Sequence, residues 1–285
     1  MSFIAILLSI VFELSIKSLE GWRQFGWFAT QTDWILLQMQ KSSLRDGPIG
    51  VLAVLAPLLL GVWLVSALLM HVWVVFGFFF SVFILLMTLG PVDPMRQAHD
   101  YLKAMQAGDT AEANKHAEAL CACEVDDNPV VTAEQVKQAL LVRLCENILG
   151  IFFWFIVLGP VGCVLYRASC LLRFRYDGVQ GGLAEAVLDL YRILIWIPAR
   201  LCIIAFALVG GFVDTLQALH HVSDLWKRDS NSLLIEAGLG AIPASTSNED
   251  QPDLDGVSEV HSLIKRSVVF WITVLGVLVL AGWLI

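Results

Sequence analysis

Between Ile49 and Leu89 the chain carries no Asp, Glu, Lys or Arg. A helix rises about 1.5 Å per residue, so about twenty apolar residues cross the hydrocarbon core of a bilayer. This stretch is about twice that length. It predicts two spanning helices, near 50–70 and 73–89, with a tight turn around His71. A lone histidine in such a turn is expected to cap or hydrogen-bond at the interface rather than bind a ligand. A second run without charge, SVVFWITVLGVLVLAGWLI at 267–285, follows Lys265 and Arg266 and predicts another spanning helix. Residues 2–16 read as a short retained membrane helix, because no basic segment precedes them and no small-residue cleavage site follows. Glu13 is expected near the interface, a turn from a snorkelling Lys17.

Composition supports lipid as the main solvent. The 285 residues are 58% hydrophobic and 15% charged, whereas soluble domains are typically about a quarter charged. The formal net charge of −8 argues against nucleic acid as a partner. Six cysteines include no CxxC pair. Cys121 and Cys123 stand too close for the usual zinc spacing, so the cysteines read as scattered thiols in a reducing compartment and in apolar packing, with no metal site.

Between the apolar runs the chain is amphipathic. Residues 17–48 mix Trp22, Phe25, Trp27, Phe28 and Trp34 with four Lys or Arg, which suits the headgroup region and predicts an interfacial helix over about 30–41. Asp93-Pro94 supplies an N-cap and a first-position proline for a helix to about Gln106. Asp109…Glu112 is a capping box for a second helix to about Cys121, giving a helical hairpin. Thr132…Gln135 is another capping box, and the helix it opens has no breaker before Gly150, so it is expected to run into the membrane. The tract at 245–259, with Glu249, Asp250, Asp253, Asp255 and Glu259, reads as a flexible acidic loop.

Residues 143–200 are the anomaly. Runs 148–165 and 193–212 are apolar, yet Pro160 and Pro198 interrupt them, and Glu146, Asn147, Arg167, Arg173, Arg175, Arg192 and Arg200 lie in or beside them. A charge at membrane depth costs about 3 kcal/mol on insertion scales. Lys and Arg number four in 17–48, five in 91–147 and four in 213–266. The positive-inside rule places these loops in the cytoplasm and both chain ends outside. Keeping the remaining arginines inside as well requires the two interrupted runs to be broken or re-entrant helices. The expected fold is an all-α integral membrane protein with about four spanning helices, broken or re-entrant helices and a cytoplasmic helical hairpin. Its regions are 1–90, membrane helices with an interfacial segment; 91–147, cytoplasmic helices; 148–212, the interrupted helices; 213–266, a cytoplasmic loop; and 267–285, the last span.

The ordered elements AGD at 107–109, RLCEN at 143–147, LGPVGCVLYRA ending at Ala168, WIPARL at 196–201 and RDSNSLLIEAGLGA at 228–241 resemble the CobD/CbiB superfamily of cobalamin-biosynthesis membrane enzymes. More closely they resemble its AmpE branch, regulatory inner-membrane proteins tied to β-lactamase induction. The resemblance covers roughly residues 90–241. Its matching positions imply candidate ligand-binding residues Glu146, Asn147, Tyr166, Arg167, Arg200, Asn231 and Glu236, facing the cytoplasm. It also implies that a nucleotide could be the cofactor. The departures are informative. The enzymes carry an Asn and an Asp after the Tyr-Arg pair, where this chain has Cys170 and Arg173. They carry acidic residues before the WIPAR equivalent, where this chain has Tyr191, Arg192 and Ile193. A nucleotide- and magnesium-dependent amide ligase needs carboxylates to hold its metal. Loss of several favours a regulatory protein that binds an anionic ligand, a nucleotide or cell-wall metabolite, and a regulatory protein partner, over a catalyst. An adenosylcobinamide-phosphate synthase-type ligase is the alternative. No GxxxxGK[ST], GxSxG or HExxH motif supports a common NTPase or hydrolase mechanism.

Overall fold

The computed structural model describes residue 6 and residues 26–38, 47–89, 93–126, 128–220, 228–243 and 251–281. The expected helix over 2–16, with Glu13 and Lys17, lies outside these residues, as do Trp22, Lys41, Arg45, Glu249 and Asp250. The chain forms two compact units. The first comprises Met1–Pro91, Glu146–Ile195 and Leu278–Ile285, and the second comprises Val92–Cys145 and Trp196–Val277. Every regular element among the described residues is helical.

In the first unit, α1 (Gly26–Gln38) overlaps the helix expected over 30–41 and begins four residues earlier. Helix α2 (Pro48–Val72) and helix α3 (Val74–Thr88) form the expected apolar pair. The break falls at Trp73, whose extended backbone (φ −164°, ψ 126°) separates them, two residues beyond His71. Leu60, Trp63, Leu64 and Leu68 of α2, and Phe76, Phe79 and Phe83 of α3, point outward. In water such a surface would drive aggregation; in lipid it is matched to its solvent. The inner faces pack on α7 (Gly150–Tyr176) and the start of α8 (Gly182–Val209). Phe28 and Leu36, Val51, Val54 and Leu55, Ala168 and Leu172, and Leu183 and Val187 share one core. Arg175 ties α7 to α1, donating to the Ala29 carbonyl at 3.1 Å and pairing with Asp33.

The second unit begins with the expected hairpin. Asp93 accepts from the Met95 amide and starts α4 (Pro94–Gln106); Asp109 accepts from the Glu112 amide and starts α5 (Thr110–Cys121). The next helix, α6 (Pro129–Leu144), starts three residues before Thr132, capped by Asn128. Thr132 is instead internal and donates its hydroxyl to the Asp126 carbonyl at 2.7 Å. Arg143 caps the other end of α5 by donating to the Leu120 and Cys121 carbonyls at 3.1 and 3.3 Å. After α9 (Phe212–His220), α10 (Ser230–Gly240) packs on α6, with Gly238 so close to Leu141 that a Cβ would stand 2.3 Å from its side chain. The last helix, α11 (Leu254–Leu280), starts well before Ser267. Asp255 and Glu259 of the expected acidic loop are therefore helical, and Asp253 caps the helix by accepting from the Gly256 amide. Lys137 of α6 holds Asp253 at 2.8 Å and Glu134 at 2.7 Å.

The two interrupted runs differ from each other. Helix α6 continues through a π-helical turn, Cys145–Leu149, into α7, so Pro129–Tyr176 is one 48-residue helical stretch. It bends at Gly159, whose φ of 65° and ψ of −149° leave the helical region just before Pro160. Helix α8, by contrast, passes through Pro198 without a break. Proline lacks an amide and so leaves the carbonyl four residues earlier, Leu194, without its helical donor. The Trp154 indole N–H of α7 fills that place, donating to the Leu194 oxygen at 3.0 Å. By length and composition the helices able to cross a bilayer are Pro48–Val72, Pro129–Tyr176, Gly182–Val209 and Leu254–Leu280, while α3, at 15 residues, is shorter. The four long apolar helices therefore include both interrupted runs.

Candidate functional site

The π-helical turn is where the polar site begins. A π turn adds a residue to the helical register, and such turns concentrate at functional positions. Here it carries Glu146 and Asn147, both buried within an otherwise apolar helix, with Glu146 only 1% exposed. Helix α7 supplies the facing residues. Tyr166, Cys170 and Arg173 fall at i, i+4 and i+7 and so share one face. Arg173 pairs with Glu146 Oε1, and the Tyr191 hydroxyl of α8 donates to the same oxygen at 2.6 Å. The Arg173 guanidinium also donates to the Tyr191 oxygen at 3.1 Å and stacks 4.6 Å over the Tyr191 ring. One turn away, Arg167 donates to Asn147 Oδ1 at 2.9 Å. Tyr166 is fully buried with its ring against Gly150, where a Cβ would come within 2.3 Å of it. Gly150 is thus the residue that admits Tyr166.

The remaining expected residues belong to the second unit. Arg200 of α8 stacks 4.6 Å over Trp196 and donates to the Trp196 carbonyl at 3.2 Å and to the Ser230 hydroxyl at 2.7 Å. Ser230 is the first residue of α10, whose N-cap Asp229 accepts from the Asn231 and Ser232 amides, each at 3.1 Å. Glu236, two turns into α10, pairs with Arg228 at 2.6 Å. The seven residues therefore form two groups: Glu146, Asn147, Tyr166 and Arg167 in the first unit; Arg200, Asn231 and Glu236 in the second.

Sequence reasoning treated Arg173 and Tyr191 as departures from an enzyme pattern and left Ser230 and Arg228 out of the site. The i+7 spacing from Tyr166 was the available signal for Arg173. Nothing in the sequence points Tyr191 at Glu146. The consequence for metal chemistry is direct. A carboxylate that could ligate a cation is occupied by a guanidinium and a phenol. Among the described residues, no group of three or more His, Cys, Asp or Glu side chains is placed to hold an ion. Among the described residues, the Glu146 cluster does not fit a magnesium–nucleotide centre.

These features define a polytopic all-α membrane protein with polar clusters built into its long apolar helices. Its sequence matches, over residues 1–285, the family described as regulatory signalling modulator protein AmpE, and the chain belongs to that family. It is also similar to cobalamin biosynthesis protein CobD of Stutzerimonas stutzeri (strain A1501), with 31% identity over 237 residues, covering 78% of this chain and 66% of that protein. The CobD protein of Chromobacterium violaceum is 25% identical over 243 residues, covering 78% of this chain and 74% of its own length. The chain thus spans just under two thirds of the first of these relatives. No solved structure matches the chain.

Proposed function

We propose that this regulatory membrane protein acts in the bacterial inner membrane in β-lactamase induction and the response to cell-wall stress, by recognising an anionic ligand and a protein partner without turnover. The observation that carries this reading is the engagement of Glu146 by Arg173 and Tyr191. A buried carboxylate neutralised in this way is a structural and binding element, whereas a metal-dependent ligase would need it free. Guanidinium groups suit phosphate and carboxylate ligands. Arg167 in the first unit and Arg200 in the second are the ligand contacts we assign, with Asn147 and Tyr166, and Asn231, as their respective neighbours. The Lys and Arg count of the loops supports, by the positive-inside rule, a cytoplasmic side for the polar regions and an outer side for both chain ends.

The experiment is a chromosomal deletion complemented with wild type, Arg167→Ala or Arg200→Ala, with β-lactamase measured before and after a sub-inhibitory β-lactam. Deletion is expected to change induction, wild type to restore it, and each variant to restore it incompletely while still reaching the membrane. Unchanged induction on deletion refutes the regulatory role. Purified protein given magnesium, ATP, a corrinoid acid and an amine is expected to form no amide; formation of one would favour the cobinamide-ligase reading that the CobD similarity raises.

A further inference from the structure

We propose that Cys121 and Cys123 form a dithiol site that exchanges with low-molecular-weight disulfides and closes reversibly to an intramolecular disulfide. The pair sits at the C-terminal end of α5. Ala122 between them is left-handed (φ 55°, ψ 32°), which folds the chain back at the helix end. The two thiols stand one residue apart on this turn and couple electrostatically. Cys123 is exposed, Cys121 is half-buried, and Cys145, Cys163, Cys170 and Cys202 are buried. One thiol of the pair can therefore meet a soluble disulfide, and the other is placed behind it.

The surroundings suit a resolving thiol. Tyr101 of α4 is fully buried, its hydroxyl has no hydrogen-bond partner among the described residues, and it neighbours Cys121. A negative charge on Cys121 is therefore felt at the Tyr101 phenol. Arg143, fixed by the Leu120 and Cys121 carbonyls, adds a positive charge that favours the same anion. In the resting state burial, and then the adjacent Cys123, push the Cys121 thiol up to about 12, so it stays protonated until the exchange begins.

The steps balance as two-electron exchange. The Cys123 thiolate attacks one sulfur of a disulfide RSSR, forming Cys123–S–S–R and releasing RS⁻, which takes up a proton. Cys121 then loses its proton to solvent, attacks the Cys123 sulfur and expels the second RS⁻. The sum is two protein thiols and RSSR giving one protein disulfide and two RSH. A ring closed across a single intervening residue is strained, and strained or exposed disulfides are the readily reduced, regulatory ones.

The test uses the full chain, purified reduced in detergent and treated with glutathione disulfide, with digestion and mass spectrometry under alkylation. Wild type is expected to lose two hydrogens on the peptide bearing Cys121 and Cys123, and to regain them with dithiothreitol. Cys121→Ser and Cys121→Ala should both stop at a glutathione adduct on Cys123, and Cys123→Ser should leave Cys121 unmodified. A wild-type protein that retains a glutathione adduct on Cys123 without closing, or that reacts first at the buried cysteines, overturns the proposal.

Discussion

Replacing Trp154 by phenylalanine tests whether the indole is what lets α8 carry Pro198. Pro198 offers no amide to the Leu194 carbonyl, and Leu194 itself is buried, so the Trp154 N–H at 3.0 Å is the donor that satisfies that oxygen. Phenylalanine keeps a ring at the position and removes the N–H. The orphaned carbonyl costs about 1–3 kcal/mol, and lost ring contact adds about 1 kcal/mol. Proline 198 is the control. In a Pro198→Ala background the helix supplies its own N–H to Leu194, and only the packing loss should remain. The two changes are therefore expected to couple by about 1–2 kcal/mol, well beyond the roughly 0.5 kcal/mol scatter of independent sites. Unfolding in mixed micelles titrated with dodecyl sulfate, followed by circular dichroism, yields the four free energies of the cycle. If Trp154→Phe costs the same with proline or alanine at 198, the indole is ordinary packing and the account of how α8 stays continuous fails.

Three further outcomes follow from the same structure. Arg173→Met should destabilise by about 3 kcal/mol, since breaking a buried ion pair from one side strands the other charge. Glu146→Gln, which leaves Tyr191 an acceptor, should cost about 1–2 kcal/mol, and the double variant should cost less than the two together; simple additivity in the same assay would dissolve the pair. Gly150→Ala places a methyl 2.3 Å from the Tyr166 ring and should cost about 1–3 kcal/mol by overpacking, read as a fall in thermal midpoint in detergent. Tyr101 and Cys121 are both pushed up to about 12, Tyr101 from 10.0 and Cys121 from 9.0, chiefly by burial. Their buried neutral forms stabilise the fold fully below the unfolded values, and that contribution is lost as pH rises from about 9 through about 12. A Tyr101→Phe/Cys121→Ser variant should show a flatter alkaline stability profile, and an unchanged profile would refute the assignment.

Much of the fold was legible locally. Asp93 and Asp109 announce their helices because a capping carboxylate acts on amides two or three residues away, and the structure has both bonds. The uncharged stretch from Ile49 to Leu89 announced its helix pair for the same reason: periodicity and polarity are short-range properties. Thr132 misled because a capping-box pattern also occurs inside a helix, where the preceding Asn128-Pro129 starts it better. The acidic tract misled because Asp253 is held by Lys137, 116 residues away in sequence, and caps α11 directly. The site residues Glu146, Asn147, Tyr166 and Arg167 were nominated by resemblance, and the structure brings Asn147 and Arg167 into contact.

The sequence by itself determined that lipid is the solvent and helix the backbone form, since apolar length and the need to pair every amide leave few alternatives. It also marked 143–200 as the stretch where charge enters apolar helices. The tertiary structure decided what the charges do there. Arg173 and Tyr191 reach Glu146 from 27 and 45 residues away, and Trp154 reaches the carbonyl that Pro198 leaves bare from 40. Such contacts depend on how α7 and α8 face each other, and a side chain's partner across two helices is a property of their packing rather than of either helix's own sequence.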